Sequence, residues 1–105
     1  ELTWVVCMGN YLTNLDLNSS YLHTIECYEN QITSIDISQS TELTYLDCHT
    51  NEITNLDLNQ NINLTDLIAW DNQLISLDTS QNIELVHFIC GYNNIDSLNL
   101  SQNIN

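Results

Sequence analysis

A 21-residue repeat constrains this chain more than any other feature of its sequence. Each repeat reads L-x-x-φ-x-C-x-x-N, where φ is apolar, and continues into the phrase x-φ-x-x-φ-D-φ. Five repeats fill the 105 residues, and the first is one residue shorter than the others. Such periodicity marks units that bury their apolar faces only by stacking on one another. The sequence therefore predicts a single array, 1–105, with repeats at 2–21, 22–42, 43–63, 64–84 and 85–105.

The spacing within one repeat predicts its local structure. Side chains alternate across a strand, so Val5 and Cys7 point inward while Trp4, Val6 and Met8 point outward. A coil of this length has to turn twice, which leaves about 6–8 residues for the far side, too few for a helix between loops. We expect a mostly β leucine-rich-repeat solenoid of five coils with in-register parallel strands. The far side should be extended or 3₁₀ with short second strands, and there should be little or no α-helix.

Five apolar columns, each with one residue from every repeat, form the predicted core. The columns are Leu2, Leu22, Leu43, Leu64 and Leu85; Val5, Ile25, Leu46, Leu67 and Phe88; Leu12, Ile32, Ile53, Leu74 and Ile95; Leu15, Ile35, Leu56, Leu77 and Leu98; and Leu17, Ile37, Leu58, Thr79 and Leu100.

A cysteine column is predicted inside the array, formed by Cys7, Cys27, Cys48 and Cys90 and interrupted by Ala69. In-register strands set neighbouring Cβ vectors side by side, which does not suit a disulfide. We interpret these residues as buried free thiols that fill space as small apolar groups. A disulfide and a metal-binding ladder are the alternatives.

An asparagine column follows each predicted strand, at Asn10, Asn30, Asn51, Asn72 and Asn93. A turning backbone leaves N–H and C=O groups unpaired, and a side-chain amide can pair with both. The column is therefore predicted to hold the turns together.

Several phrases resemble a known group of repeats. Leu43-Thr44-Tyr45-Leu46-Asp47-Cys48 and Asn59-Gln60-Asn61-Ile62 are similar to the repeats of internalin J and related bacterial leucine-rich-repeat surface proteins. The 21-residue period and the Cys in place of the usual second Leu fit that group as well. The resemblance implies an exported, wall-anchored chain that serves adhesion to host or matrix. The present sequence differs in having no cap domains, no wall-anchor motif and no Lys.

The charge balance excludes several classes of function. The chain has 14 Asp and Glu residues, no Lys or Arg, and a formal net charge of -14. Nucleic-acid binding and attraction to anionic membranes both require basic side chains. No apolar run approaches the roughly 18 residues of a spanning helix. We expect neither a nucleic-acid partner nor membrane insertion.

An aspartate column on the far side contains Asp16, Asp36, Asp57 and Asp78. Each carboxylate is expected to accept N–H groups of its turn or to face solvent, so that no cofactor is required. The alternative is a weakly bound Ca²⁺ ladder, because carboxylates about 4.8 Å apart repel and Ca²⁺ prefers oxygen ligands.

The outward face of the strands is the predicted binding surface. Its candidate residues are Trp4, Met8, Tyr28, Tyr45, His49, Trp70, His87 and Tyr92. Such side chains are typical of protein interfaces and carbohydrate platforms, although aromatic residues also favour strands for their own sake. Asp66 and His87 share a column, and Asp71 is placed diagonally near His49, which leaves a transition-metal site as a further alternative.

The sequence favours an extracellular, cell-surface scaffold for protein or carbohydrate binding and adhesion. Catalysis is not expected, because the outward nucleophiles are Ser and Thr hydroxyls on an open face without a pocket. The alternative function is a structural filament. Both ends of the array expose core residues without caps, so copies could self-associate by stacking end to end.

Overall fold

The chain forms a parallel β-solenoid, and the computed structural model describes residues 1–17 and 19–104. These residues contain no helix. The strands are β1 (Trp4–Val6), β2 (Asn14–Asp16), β3 (Thr24–Glu26), β4 (Ser34–Asp36), β5 (Tyr45–Asp47), β6 (Asp66–Ile68) and β7 (His87–Ile89). One strand from each repeat enters the main sheet, in the order β1-β3-β5-β6-β7. The chain makes four full turns between β1 and β7, and the predicted solenoid is confirmed.

The register of the main sheet places equivalent residues directly beside each other. Val5, Ile25, Leu46, Leu67 and Phe88 form one continuous column of paired residues. This pairing follows from the constant repeat length, since any shift would turn the apolar column toward solvent.

The far side is less regular than predicted. Among the described residues, short second strands pair only in the first two repeats, as β2 with β4. Between later repeats the far-side backbones meet through single hydrogen bonds, such as Glu52 N to Ile32 O and Gln73 N to Ile53 O, both 2.9 Å. A single bond does not make a ladder, so these segments remain extended without being paired strands.

The core is continuous in the middle of the array. Ile25, Leu46 and Leu67 are completely buried. The prediction of core positions is wrong for the outermost residues, because Leu2, Leu98 and Leu100 are 54%, 36% and 43% exposed. Within the described chain, a terminal coil packs against a neighbour on one side only. Self-association through such ends stays a prediction.

The cysteines are free thiols, as predicted, but the predicted burial is complete only for the inner two, since Cys7 and Cys90 in the outer repeats are partly exposed. Cys27, Cys48 and Ala69, which separates Cys48 from Cys90 in the column, have no exposed surface. Burial raises the pKa of the Cys27 thiol. Burial is also the largest of the causes that raise the pKa of the Cys48 thiol to about 12. Protonated, buried thiols behave as small apolar side chains, which fits their place in the core.

The asparagine column joins neighbouring coils through its side-chain amides. Asn51 Nδ2 donates to Cys27 O and Cys48 O, each at 3.1 Å, while its Oδ1 accepts the Ile32 N–H at 2.9 Å. The residue before each Asn has a positive φ, and Thr50 has φ 51°. This left-handed turn ends the strand and directs the amide inward, which confirms the structural role predicted for the column.

A second polar column lies inside the opposite turn and was not predicted. It consists of Ser40, Asn61, Asn82 and Asn103. Asn82 Nδ2 donates to Leu58 O at 3.1 Å and to Asn61 O at 2.8 Å. Thr79 is buried in the apolar core because its hydroxyl donates to Asn103 Oδ1 at 3.0 Å. The two amide columns hold the coils together at both turns.

Candidate functional site

The strand face carries a stack of aromatic rings along one edge. The centroids of Tyr28 and His49 are 4.5 Å apart and those of His49 and Trp70 are 4.7 Å apart, with ring planes inclined by only 10° and 11°. These separations match the strand spacing of about 4.8 Å, so the backbone register itself brings the rings into contact. Tyr92 closes the stack edge-on, 6.4 Å from Trp70 at 64°. We call Tyr28, His49, Trp70 and Tyr92 the aromatic ladder.

The remaining predicted face residues lie around the ladder without joining it. Met8 precedes Tyr28 in the same column and is 39% exposed. Trp4 is 60% exposed and stands in a different column, separated from the ladder by the column of Val6. Tyr45 and His87 share the column of Trp4. In the last repeat the position equivalent to Trp70 is Gly91, which has no side chain, and the next residue, Tyr92, contacts the Trp70 ring instead.

Two histidines pair with carboxylates on this face. His49 Nδ1 lies 2.5 Å from Asp47 Oδ1, and His87 Nδ1 lies 2.6 Å from Asp66 Oδ1. The predicted neighbourhood of His87 and Asp66 is thus observed, whereas His49 pairs with Asp47 rather than with Asp71. Asp47 occupies the outward position of its repeat that Val6 occupies in the first, yet only 6% of its surface is exposed. Its Oδ1 also accepts the His49 N–H, and this local hydrogen bonding accompanies its shielding.

The carboxylates shape the electrostatics of the face. The Thr65 hydroxyl, which donates to Asp66 Oδ2 at 2.7 Å, is the main cause that lowers the pKa of Asp66, and His87 lowers it further. Burial raises the pKa of the Tyr45 phenol, and the negative charges of Asp47, Glu26 and Asp66 raise it further. The centre of the face is therefore a region of negative potential.

The aspartate column on the far side accepts hydrogen bonds from the turns that directly follow its residues. Asp36, Asp57 and Asp78 each accept, through Oδ1, the N–H of the residue two positions on, at 2.9–3.0 Å. Donation from the turn N–H and the serine hydroxyl lowers the pKa of Asp36 and Asp78. Asn99 makes the same bond through an amide oxygen. The turn therefore needs a hydrogen-bond acceptor and not a negative charge. Among the described residues, no three His, Cys, Asp or Glu side chains come together as a group that could hold a metal ion.

Salt is expected to stabilise this array. Its net charge of -14 and the absence of Lys and Arg leave carboxylate repulsion without internal compensation. Raising NaCl from about 0.02 to about 0.5 M should raise the melting temperature by about 5 °C, and millimolar Ca²⁺ or Mg²⁺ should act in the same direction. The Asp36→Asn/Asp57→Asn variant should respond less. A melting temperature indifferent to ionic strength would show that the repulsion is negligible.

No helix in the described parts of the chain is long and apolar enough to cross a membrane.

Comparison with known proteins gives one informative similarity. No family model and no curated protein matches the chain. Among solved structures, the chain is similar to the functional domain of InlJ from Listeria monocytogenes, whose description states that it includes a cysteine ladder. The TM-score is 0.83 and the sequence identity 34%, over 97% of this chain and 28% of that chain. The resemblance of the repeats to internalin J is confirmed. The chain spans about 28% of the length of the solved InlJ chain.

Proposed function

We propose that this leucine-rich-repeat solenoid, which resembles that of InlJ, is a binding scaffold whose strand face docks a protein or carbohydrate partner in adhesion. The aromatic ladder carries the proposal. A stack of three nearly parallel rings ending in an edge-on Tyr92 presents rigid aromatic surface at the exterior. Aromatic anchors that are ordered before binding lose little side-chain entropy when a partner arrives.

The surroundings of the ladder support docking over a purely structural role. Trp4, Val6 and Ile89 are 60%, 48% and 50% exposed on the same face. Trp4 and Val6 lie on β1 and Ile89 lies on β7, so apolar side chains are exposed at both ends of the sheet. Exposed apolar side chains with polar neighbours are characteristic of interaction surfaces. The proposed role involves no chemistry and is exercised outside the cell, where the adhesion implied by the resemblance takes place.

Replacing Trp70 with alanine should weaken partner binding by more than about 1 kcal/mol, or about fivefold in Kd, because Trp70 is the largest ring of the ladder. Loss of its stacking on His49 and Tyr92 should cost about 1 kcal/mol of stability, which leaves the chain folded. Binding is measured by biolayer interferometry against purified extracellular-matrix proteins and an oligosaccharide array.

Ile75→Ala is the matched control, because Ile75 is 67% exposed and lies outside the strand face. It should change the same affinity by less than about twofold. If Ile75→Ala abolished binding while Trp70→Ala preserved it, binding would occur outside the strand face, and the proposed location of the binding surface would be wrong.

A further inference from the structure

The carboxylate charge on the strand face is only partly balanced within the molecule. Asp47 and Asp66 each have one histidine partner, and the Glu26 side chain makes no hydrogen bond or ion pair with the described residues. No Lys or Arg exists anywhere in the 105 residues to neutralise it. Asp47 is hydrogen-bonded by His49, and Asp66 by His87 and Thr65. Glu26, and the exposed part of Asp66, depend on water for their stabilisation.

A partner that covers this face removes part of that water. Desolvating a carboxylate without a compensating charge or hydrogen bond costs binding free energy. A cation that the partner places against the carboxylate offsets this cost and makes the contact favourable. Tyr45 lies among Glu26, Asp47 and Asp66, whose negative charges act on its phenol. Neutral and anionic partners are thus disfavoured at the centre of the face.

The ring geometry separates two kinds of partner. Sugar rings dock on the open faces of aromatic side chains, but Tyr28, His49 and Trp70 turn their faces toward one another, with planes within 11° of parallel. The stack consequently presents ring edges to solvent. Edges carry polar hydrogen-bonding groups and suit the backbone and side chains of a polypeptide.

We propose that the strand face binds a cationic polypeptide segment whose Arg or Lys side chains reach Glu26 and Asp66 while its aliphatic groups pack along the edges of the aromatic ladder. The inference rests on the proposed function and specifies its partner. Opposite charge should both speed association and select against acidic competitors.

The probe is a fluorescein-labelled peptide of alternating arginine and serine, titrated with the purified chain at about 0.15 M NaCl and followed by anisotropy. Glu26→Gln/Asp66→Asn should raise its Kd at least about fivefold. Asp36→Asn/Asp57→Asn is the matched control. It removes the same charge from the far side and keeps the turn acceptors, as Asn99 shows. It should raise the Kd by less than about twofold. Melting curves verify that both variants fold.

Equal losses in the two variants would overturn the inference, since binding would then follow net charge alone. Absence of peptide binding would overturn it as well. Neutral chito- or cello-oligosaccharides are titrated in parallel. If the oligosaccharides bound through Trp70 and the peptide did not bind, the inference of a cationic partner would be wrong, but the proposed binding function would still hold. If Trp70→Ala changed the binding of no ligand, the proposed function itself would fail.

Discussion

Asn51→Ala is expected to lower the free energy of unfolding by about 3 kcal/mol. The Asn51 side chain is the acceptor for the Ile32 N–H, which would be left buried and unpaired. Its Nδ2 also donates to the carbonyls of Cys27 and Cys48, which keep second amide donors from Asn30 and Asn72. The orphaned N–H therefore dominates the loss. Urea denaturation measures it.

Asn10 provides the matched control within the same column. Its side chain is exposed and, within the part of the chain that the structure describes, bonds only inside its own turn, to Cys7 O and Met8 O. Asn10→Ala should cost less than about 1 kcal/mol. Equal costs at the two positions would mean that the column acts through local turn propensity and not by joining coils.

Leu46→Ala is expected to destabilise the chain by about 4 kcal/mol. Leu46 is completely buried and lies between Ile25 and Leu67 in the central column. Its removal loses apolar burial and leaves a cavity that the rigid stack of coils cannot close. Thermal and urea unfolding both report the loss.

Leu98→Ala serves as the comparison, because Leu98 is 36% exposed in the last repeat. Removing a partly exposed side chain should cost less than half as much as the central substitution. A small effect at Leu46 would indicate that the coils do not share a continuous core.

The architecture could be predicted because it follows from spacing. A constant period aligns equivalent residues, and alternation in the strand decides that Val5 points inward and Trp4 outward. The asparagine column was predictable for the same reason, since every copy of Asn10 follows its strand at the same distance. What repeats exactly in sequence is constrained to repeat in space.

The fate of individual outward side chains could not be predicted from the period. The stacking of His49 on Tyr28 and Trp70 depends on the rotamers of three different residues. The burial of Asp47 depends on its neighbours on the sheet surface and on its pairing with His49. A strand pattern says only which face a side chain is on.

The inner column of Ser40, Asn61, Asn82 and Asn103 is visible in the sequence as a periodic polar position. Each of these residues ends a three-residue phrase that recurs with the full period, as in Ser38-Gln39-Ser40 and Asn59-Gln60-Asn61. Exposed turns often contain such polar residues, so composition alone favours solvent exposure. The structure instead buries Asn61 and Asn82 completely.

The location of the binding surface is tested most directly by nuclear magnetic resonance. The arginine-serine peptide is titrated into the ¹⁵N-labelled chain, and shifts are followed at every amide and at the indole N–H groups of Trp4 and Trp70. If the partner docks on the strand face, the largest changes will occur at the Trp70 indole and at residues 45–49 and 66–70. Largest changes at the far-side turns, residues 55–57 and 76–78, would contradict it.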